Sequence, residues 1–421
     1  MSSERRVVIT GFNAVTPIGI GHEAIWESLS LRRGGIDRLQ SFSLPDGVPV
    51  AAGEIRDFEP KAYVAQRKSL RIMARDIQLA VGAAKLALDH SGVEKKVDPA
   101  RVGVNCGAGL IATELEDLGT PVHSSIDARG KFDIHKWGLE GMEQLYPLWM
   151  LKYLPNMPAC HISIQHDAQG PNNSITAGEA SALLAIGEAF RIVARDQADV
   201  FLAGGSDTKI HPLSFVRLAL LDKLTSGEGE PGEAARPYDA AGTGLVPSEA
   251  AAFVTLEDAG HAARRNAKVY ADVLGFGSAF DRTSPRRGLA IAVNHALADA
   301  KVAVSDLGFA LGHGAGLPGD DREERFGAKA ILGAAAVPLV GLKGYWGHVA
   351  AAAGALEIVA ALVGMQHRQL PGGINFTTPL AGAPPLDILA ENRDFPDRPF
   401  LVYAVSQGGQ IAALVLRPHV S

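Results

Sequence analysis

Apolar, β-branched runs bounded by glycine or turn residues alternate along this chain with longer stretches rich in Ala and Leu. Strands covered on both faces need runs that are apolar throughout rather than at every second position. In the first half such runs occupy 6–10, 102–105, 200–203 and 251–257, and helical patterns fill 74–90, 179–195 and 212–221. In the second half strands are expected at 269–275, 307–311, 337–340, 400–404 and 411–416, with helices at 287–300, 321–332 and 348–365. The rhythm occurs twice and predicts an α/β fold with buried strands. Residues 114–155 lack it and read as a cap inserted into the first half, a place where ligand or partner contacts often sit. The polar, Gly-rich stretch 225–233 reads as a surface loop rather than a linker.

With 421 residues, the chain can form roughly two or three domains or one continuous α/β core. Charged residues make up 20% and the net charge is -6, a balance that argues against nucleic acid or an anionic membrane surface as partner. The most apolar stretch, 349–365, contains Glu357 and is flanked by His348 and His367. Its Ala and Gly content suits an interior helix, so no membrane span is expected. Residues 1–6 lead into Val7-Val8-Ile9 without the pattern of a signal peptide, which places the protein in the cytoplasm. Cys106 and Cys160 make neither a disulfide framework nor a zinc set and are expected as buried small hydrophobes. No metal and no cofactor are expected.

Several motifs carry a family resemblance. The opening Arg6-Val7-Val8-Ile9-Thr10-Gly11, the pair Gly170-Pro171, Ala203-Gly204-Gly205-Ser206-Asp207 and Arg236-Pro237-Tyr238-Asp239 come first. His313-Gly314 with Pro318, Asp321 and Glu324 follows, and then Lys343 with Gly347-His348 ahead of Ala353-Gly354 and Glu357. In this order and spacing the chain resembles β-ketoacyl-acyl-carrier-protein synthases of the FabF type. The resemblance implies a thiolase-like fold, two pseudo-symmetric halves in five layers (αβαβα), with the first half at 1–257 and the second at 258–421. It also implies a homodimer, or a heterodimer with a paralogue, and partners that are acyl carrier protein or coenzyme A thioesters.

The family's nucleophile is a Cys at a tight turn opening a helix, where the helix N-terminus favours the thiolate. Counted from Gly170-Pro171, that position holds Glu179. A carboxylate is a poor nucleophile, and its mixed anhydride with an acyl group hydrolyses readily, so covalent acyl loading is not expected. His313 and His348 match the family's paired imidazoles, which can donate to an enolate oxygen, and Lys343 matches the lysine that supports them, with Glu324 or Glu179 as its expected ion-pair partner. Other family features have changed. Ala315-Gly316-Leu317 replaces a hydroxyl-bearing Thr-x-Thr, and Ser406-Gln407-Gly408 stands where the family's Phe gates the acyl pocket. Arg67 and Lys68 resemble its carrier-docking basic pair.

Two functions follow from these matches. The joint loss of the Cys, the Thr pair and the Phe gate favours a subunit like the chain-length factors, which pair with a Cys-bearing synthase and shape a shared tunnel. The alternative is a decarboxylase of malonyl thioesters that uses the two retained His, with Glu179 in its neutral form nearly isosteric with the Gln of decarboxylating relatives.

Overall fold

The computed structural model describes residues 5–93, 97–226 and 229–419. Residues 1–4, and 227 and 228 of the expected loop, lie outside the described residues. The first half contributes strands β1 (Val7–Thr16), β2 (Val102–Ala108), β3 (Asn172–Ile175), β4 (Val200–Thr208) and β5 (Glu249–Asp258). The second contributes β6 (Ala271–Phe280), β7 (Phe309–Leu311), β8 (Leu339–Val340), β9 (Phe400–Val405) and β10 (Gln410–Pro418).

The first set lies in the order β1-β5-β4-β2-β3, its first two pairings antiparallel and its last two parallel. The second set lies in the order β6-β10-β9-β7-β8 with the same sequence of senses. The second half therefore repeats the first strand for strand, the pseudo-symmetry expected from the doubled rhythm. A short antiparallel ladder, Val7↔Val273, Val8↔Asp272 and Ile9↔Ala271, joins β1 to β6 and stitches the two sets into one hydrogen-bonded sheet.

Layering follows from which side chains each face buries. In β5, Ala250, Ala252, Val254 and Leu256 enter the middle core while Ala251 and Phe253 enter an outer one. In β10, Ala412, Leu414 and Leu416 face the middle core, and Ile411, Ala413 and Val415 face the opposite outer core. Strands apolar on both faces must be covered on both. Helices α1 (Arg75–Ser91) and α2 (Met157–His166) cover the outside of the first set. Helices α3 (Ser181–Ala194) and α6 (Ala353–Gln366) fill the middle, and α4 (Pro285–Ala300) with α5 (Pro318–Leu332) covers the outside of the second set. The expected five layers are present. In α6 every residue from Ala353 to Met365 is buried, the mark of a helix apolar all round. Gly354 lets it approach α3 closely, since a Cβ there would lie 2.3 Å from Leu183 Cγ. Among the described residues no helix is long and apolar enough to cross a membrane.

Two elements escape the sequence pattern. Strand β3 reads Asn-Asn-Ser-Ile and is a polar edge strand, and a helix at His22–Ser30 was not expected. The stretch 114–155 folds as a helix at Leu115–Ser124 followed by short helical turns.

Candidate active site

Glu179 sits where β3 turns into α3. Gly178 makes that turn, with φ +58, and a Cβ on it would lie 2.5 Å from Ser406 Oγ. The Ser181 hydroxyl donates to Gly178 O at 2.6 Å and accepts from Ala177 N at 2.8 Å, closing the turn ahead of the helix. Glu179 is thereby buried at the helix start. Its Oε1 lies 3.6 Å from His348 Nε2, and its Oε2 accepts from Gln407 N at 3.4 Å.

His348 is carried between the short helix Lys343–Trp346 and the turn before α6, and its backbone N–H is tied to Val246 O at 2.8 Å. Its Nδ1 is buried without a hydrogen-bond partner among the described residues. Burial holds its pKa down to about 4, although Glu179 pulls the other way. The imidazole is therefore neutral at pH 7. The unfolded chain takes up a proton near pH 6.5 and the folded chain only near pH 4, so stability is full above about 6.5 and is lost as pH falls, by roughly 3 kcal/mol at the acid limit. The expected result is that the gap in unfolding free energy between the wild type and His348→Asn narrows from pH 7 to pH 4.5, as read by urea titration at each pH.

His313 follows β7 in a loop held by carboxylates. Glu324 Oε1 accepts from His313 N at 2.7 Å and from the Tyr238 hydroxyl at 2.6 Å, and Glu324 Oε2 accepts from Gly314 N at 2.8 Å. Asp321 accepts from Ala315 N at 2.7 Å, from Gly316 N and from Tyr238 N at 2.8 Å. Burial holds the Asp321 carboxyl up at about 7. Lys343 Nζ donates to His313 O and faces His313 Nδ1 at 3.5 Å, which assigns the ring proton to Nε2. Burial, then Lys343, then His348 keep the His313 pKa well below its ordinary value. Both imidazoles can therefore serve as neutral N–H donors.

Lys343 does not pair with Glu324 or Glu179 as expected. Its ammonium lies 2.8 Å from Glu357 Oε1, both groups almost wholly buried. Glu324 is committed to the backbone of the His313 loop, and α6 delivers Glu357 from beneath. Burial pushes the Glu357 carboxyl up to about 7 against the pull of Lys343.

The structure thus brings Glu179, His313, His348 and Lys343 together and adds the turn between β9 and β10. Ser406 is buried there, and Gln407 and Gly408 are exposed. The Gln407 side chain accepts from Lys223 Nζ at 2.6 Å and reaches Asp320 Oδ2 at 3.5 Å. Gln407 borders two spaces, one of about 610 Å³ lined by Glu179 and His348 and one of about 130 Å³ lined by His313, Lys223 and Asp320. Arg67 and Lys68 are exposed on a short 3-10 helix, Arg67–Ile72, and line neither space. Cys106 is buried inside β2, and burial holds its thiol pKa up. Cys160 is only half-buried on α2, which corrects the expectation that both are core residues. Among the described residues no group of three or more His, Cys, Asp or Glu is arranged to hold a metal ion.

Sequence reasoning missed Lys209, which lines the larger space. It follows β4, and its Nζ lies 2.8 Å from Asp207 Oδ1, while Asp207 Oδ2 accepts from Ala351 N at 3.1 Å. A lysine directly after a buried strand was the available signal.

The order of these residues along a doubled five-layer fold has relatives. The beta-ketoacyl synthase N-terminal domain model matches residues 4–262, and the C-terminal domain model matches 270–377. The chain belongs to the β-ketoacyl synthase family. It is 31% identical over 390 residues, 90% of this chain and 91% of the relative, to "3-oxoacyl-[acyl-carrier-protein] synthase 2" of Vibrio cholerae. It is 32% identical over 383 residues, 89% of this chain and 88% of the relative, to "Oxytetracycline polyketide putative beta-ketoacyl synthase 1" of Streptomyces rimosus. The solved structure of "The ishigamide ketosynthase/chain length factor" superposes with a TM-score of 0.88 over 99% of this chain and all of that one, at 24% identity, which shows a shared fold. In this member of the family a neutral His348 faces the Glu179 carboxyl group.

Proposed function

We propose that this chain is a chain-length-factor-like subunit that pairs with a Cys-bearing β-ketoacyl synthase and shapes the acyl tunnel of the pair. The observation that carries the reading is Glu179, a buried carboxylate 3.6 Å from His348 Nε2 at the turn where a synthase would hold its thiolate. Neither Cys106 in the outer core nor Cys160 on α2 lines the space beside it. Without a thiol the chain holds no acyl group covalently, while the space of about 610 Å³ remains. Surfaces for a partner are present. Among the described residues strand β3 pairs with β2 alone and forms the edge of the sheet. The cap and the helix Pro212–Leu220 expose large apolar side chains, Leu139 at 74% and Leu220 at 80% among them.

The decarboxylase reading is favoured by the His313–Lys343–Glu357 array. Its neutral Nε2–H, beside the neutral His348, suits an enolate left when a malonyl thioester loses carbon dioxide. One experiment separates the two. Co-expression with a synthase encoded nearby is expected to give a heterodimer by native mass spectrometry whose product length shifts when residues lining the 610 Å³ space are enlarged. A chain that stays unpaired and releases carbon dioxide from malonyl carrier protein, with the rate lost in His313→Ala or His348→Ala, would replace it with the alternative.

A further inference from the structure

A further space of about 530 Å³ shares no lining residue with the one beside Glu179. Neighbouring residues divide between the two: Thr113 and Lys209 line the space beside Glu179, and Glu114 and His211 line this one. Its volume is in the range usual for small-molecule sites. Phe42, Ile55, Leu115 and Ile210 give it an apolar wall. Its charges are four carboxylates, Glu54, Glu114, Glu116 and Glu249, against two guanidiniums, Arg56 and Arg75, so the balance before His211 is counted is -2.

Most of these charges are committed to the fold. Arg75 holds both Glu249 oxygens, at 3.0 and 2.9 Å, and donates to Ile55 O at 2.6 Å. Glu54 accepts from Gln40 N at 2.8 Å and Ser41 N at 3.0 Å, and Arg56 pairs with Asp37 at 3.1 Å. Glu114 and Glu116 differ. Glu114 is the N-cap residue of the helix Leu115–Ser124, yet its side chain makes no capping bond. Glu116, in the first turn, is exposed and makes no hydrogen bond or ion pair among the described residues. A helix N-terminus accounts for acidic residues in a first turn, but not for the histidine that faces them. His211 is 6% exposed, and its Nδ1 accepts from Leu213 N at 3.2 Å, which puts the ring proton on Nε2. That Nε2 is buried without a hydrogen-bond partner among the described residues, 3.9 Å from Glu114 Oε2. A buried N–H is costly to leave unpaired. It draws Glu114 Oε2 toward itself and leaves the other oxygen for a donor that enters the space.

The geometry points to a binding site for a primary alkylammonium, its head paired with Glu114 and Glu116 and its carbon stem laid against Phe42, Ile55, Leu115 and Ile210. An anion finds no free guanidinium here, because Arg56 and Arg75 already hold carboxylates. An alcohol of the same length keeps the stem contact and loses the charge, and a short amine keeps the charge and loses the stem. The site does not depend on the reading of Glu179.

The test titrates hexylamine, 1-hexanol and ethylamine into the full-length protein by calorimetry at low salt. Hexylamine is expected to bind about tenfold more tightly than hexanol, the equivalent of two partly exposed ion pairs, and about tenfold more tightly than ethylamine, from partial burial of the longer stem. Added salt is expected to weaken hexylamine and leave hexanol unchanged. Glu114→Gln and, separately, Glu116→Gln are each expected to weaken hexylamine severalfold without changing hexanol. Both carboxylates reach solvent, the Glu114 side chain at 45% exposure, so the variants keep the fold, which an unchanged melting temperature checks. Equal affinity for hexylamine and hexanol, hexylamine binding that neither variant weakens, or no hexylamine binding at millimolar concentration each overturns the inference, and none of these results bears on the role of Glu179.

Discussion

Lys343→Met is expected to lower the free energy of unfolding by about 3–5 kcal/mol near pH 8, the usual cost of leaving one member of a buried ion pair uncompensated. The ammonium has three tasks within one fully buried site. It neutralises Glu357 at 2.8 Å, donates to His313 O and faces His313 Nδ1. Methionine keeps the volume and removes all three. The deficit depends on pH with a definite sign. In the folded protein burial holds the Glu357 carboxyl at about 7, above its ordinary value. A raised carboxyl contributes full stability while protonated and loses it as pH rises through the folded value. Without Lys343 that value rises further, so the variant's deficit is expected to shrink as pH falls from 8 to about 7, where Glu357 is protonated in both folded proteins, and to level off from there to pH 5. Guanidinium titrations across that range check it, and a deficit independent of pH would mean that packing, not the carboxylate, sets the cost.

Glu179→Cys is expected to take acyl labelling from none to near one group per chain. A thiol at this turn sits at the start of α3 and beside His348 Nε2, where a helix N-terminus and an imidazole lower a cysteine pKa below about 8.5. Alkylation by iodoacetamide at residue 179, read by peptide mass spectrometry at pH 7, is expected to run about tenfold faster than at Cys160. The native Cys106 gives little background, because it is buried and its thiol pKa is held up. Alkylation without acyl transfer from a thioester would locate the lost function in Ala315-Gly316-Leu317 or in the Gln407 turn instead of in the missing thiol alone.

The interior of this fold was legible because its strands are apolar on both faces and its helices carry long Ala and Leu patterns. Strands β4, β5 and β10 contain the runs expected for them, and β1 begins one residue into its own. Strand β3 was invisible because an edge strand with exposed Asn side chains carries no apolar signal. The site was legible as positions but not as pairings. Glu179, His313, His348 and Lys343 come together as the motif order implied. The ion pair of Lys343 with Glu357 could not be read, since α6 brings that carboxylate up from the middle layer and Glu324 is taken by backbone amides. Lys209 was missed for a related reason, because its meaning depends on the space it faces.

The grip of Glu324 and Asp321 on the loop after β7 has a consequence for how this site could change over evolutionary time. Both carboxylates hold main-chain N–H groups, which any residue but proline supplies. Gly314 at φ +45 and Gly316 at φ +81 are pinned by backbone geometry. The side chains at 315 and 317 are pinned by nothing in that scaffold. Ala315 and Leu317 could therefore replace hydroxyl-bearing residues without moving His313, so the chemistry of the loop could drift while the shape that aims the imidazole was inherited unchanged.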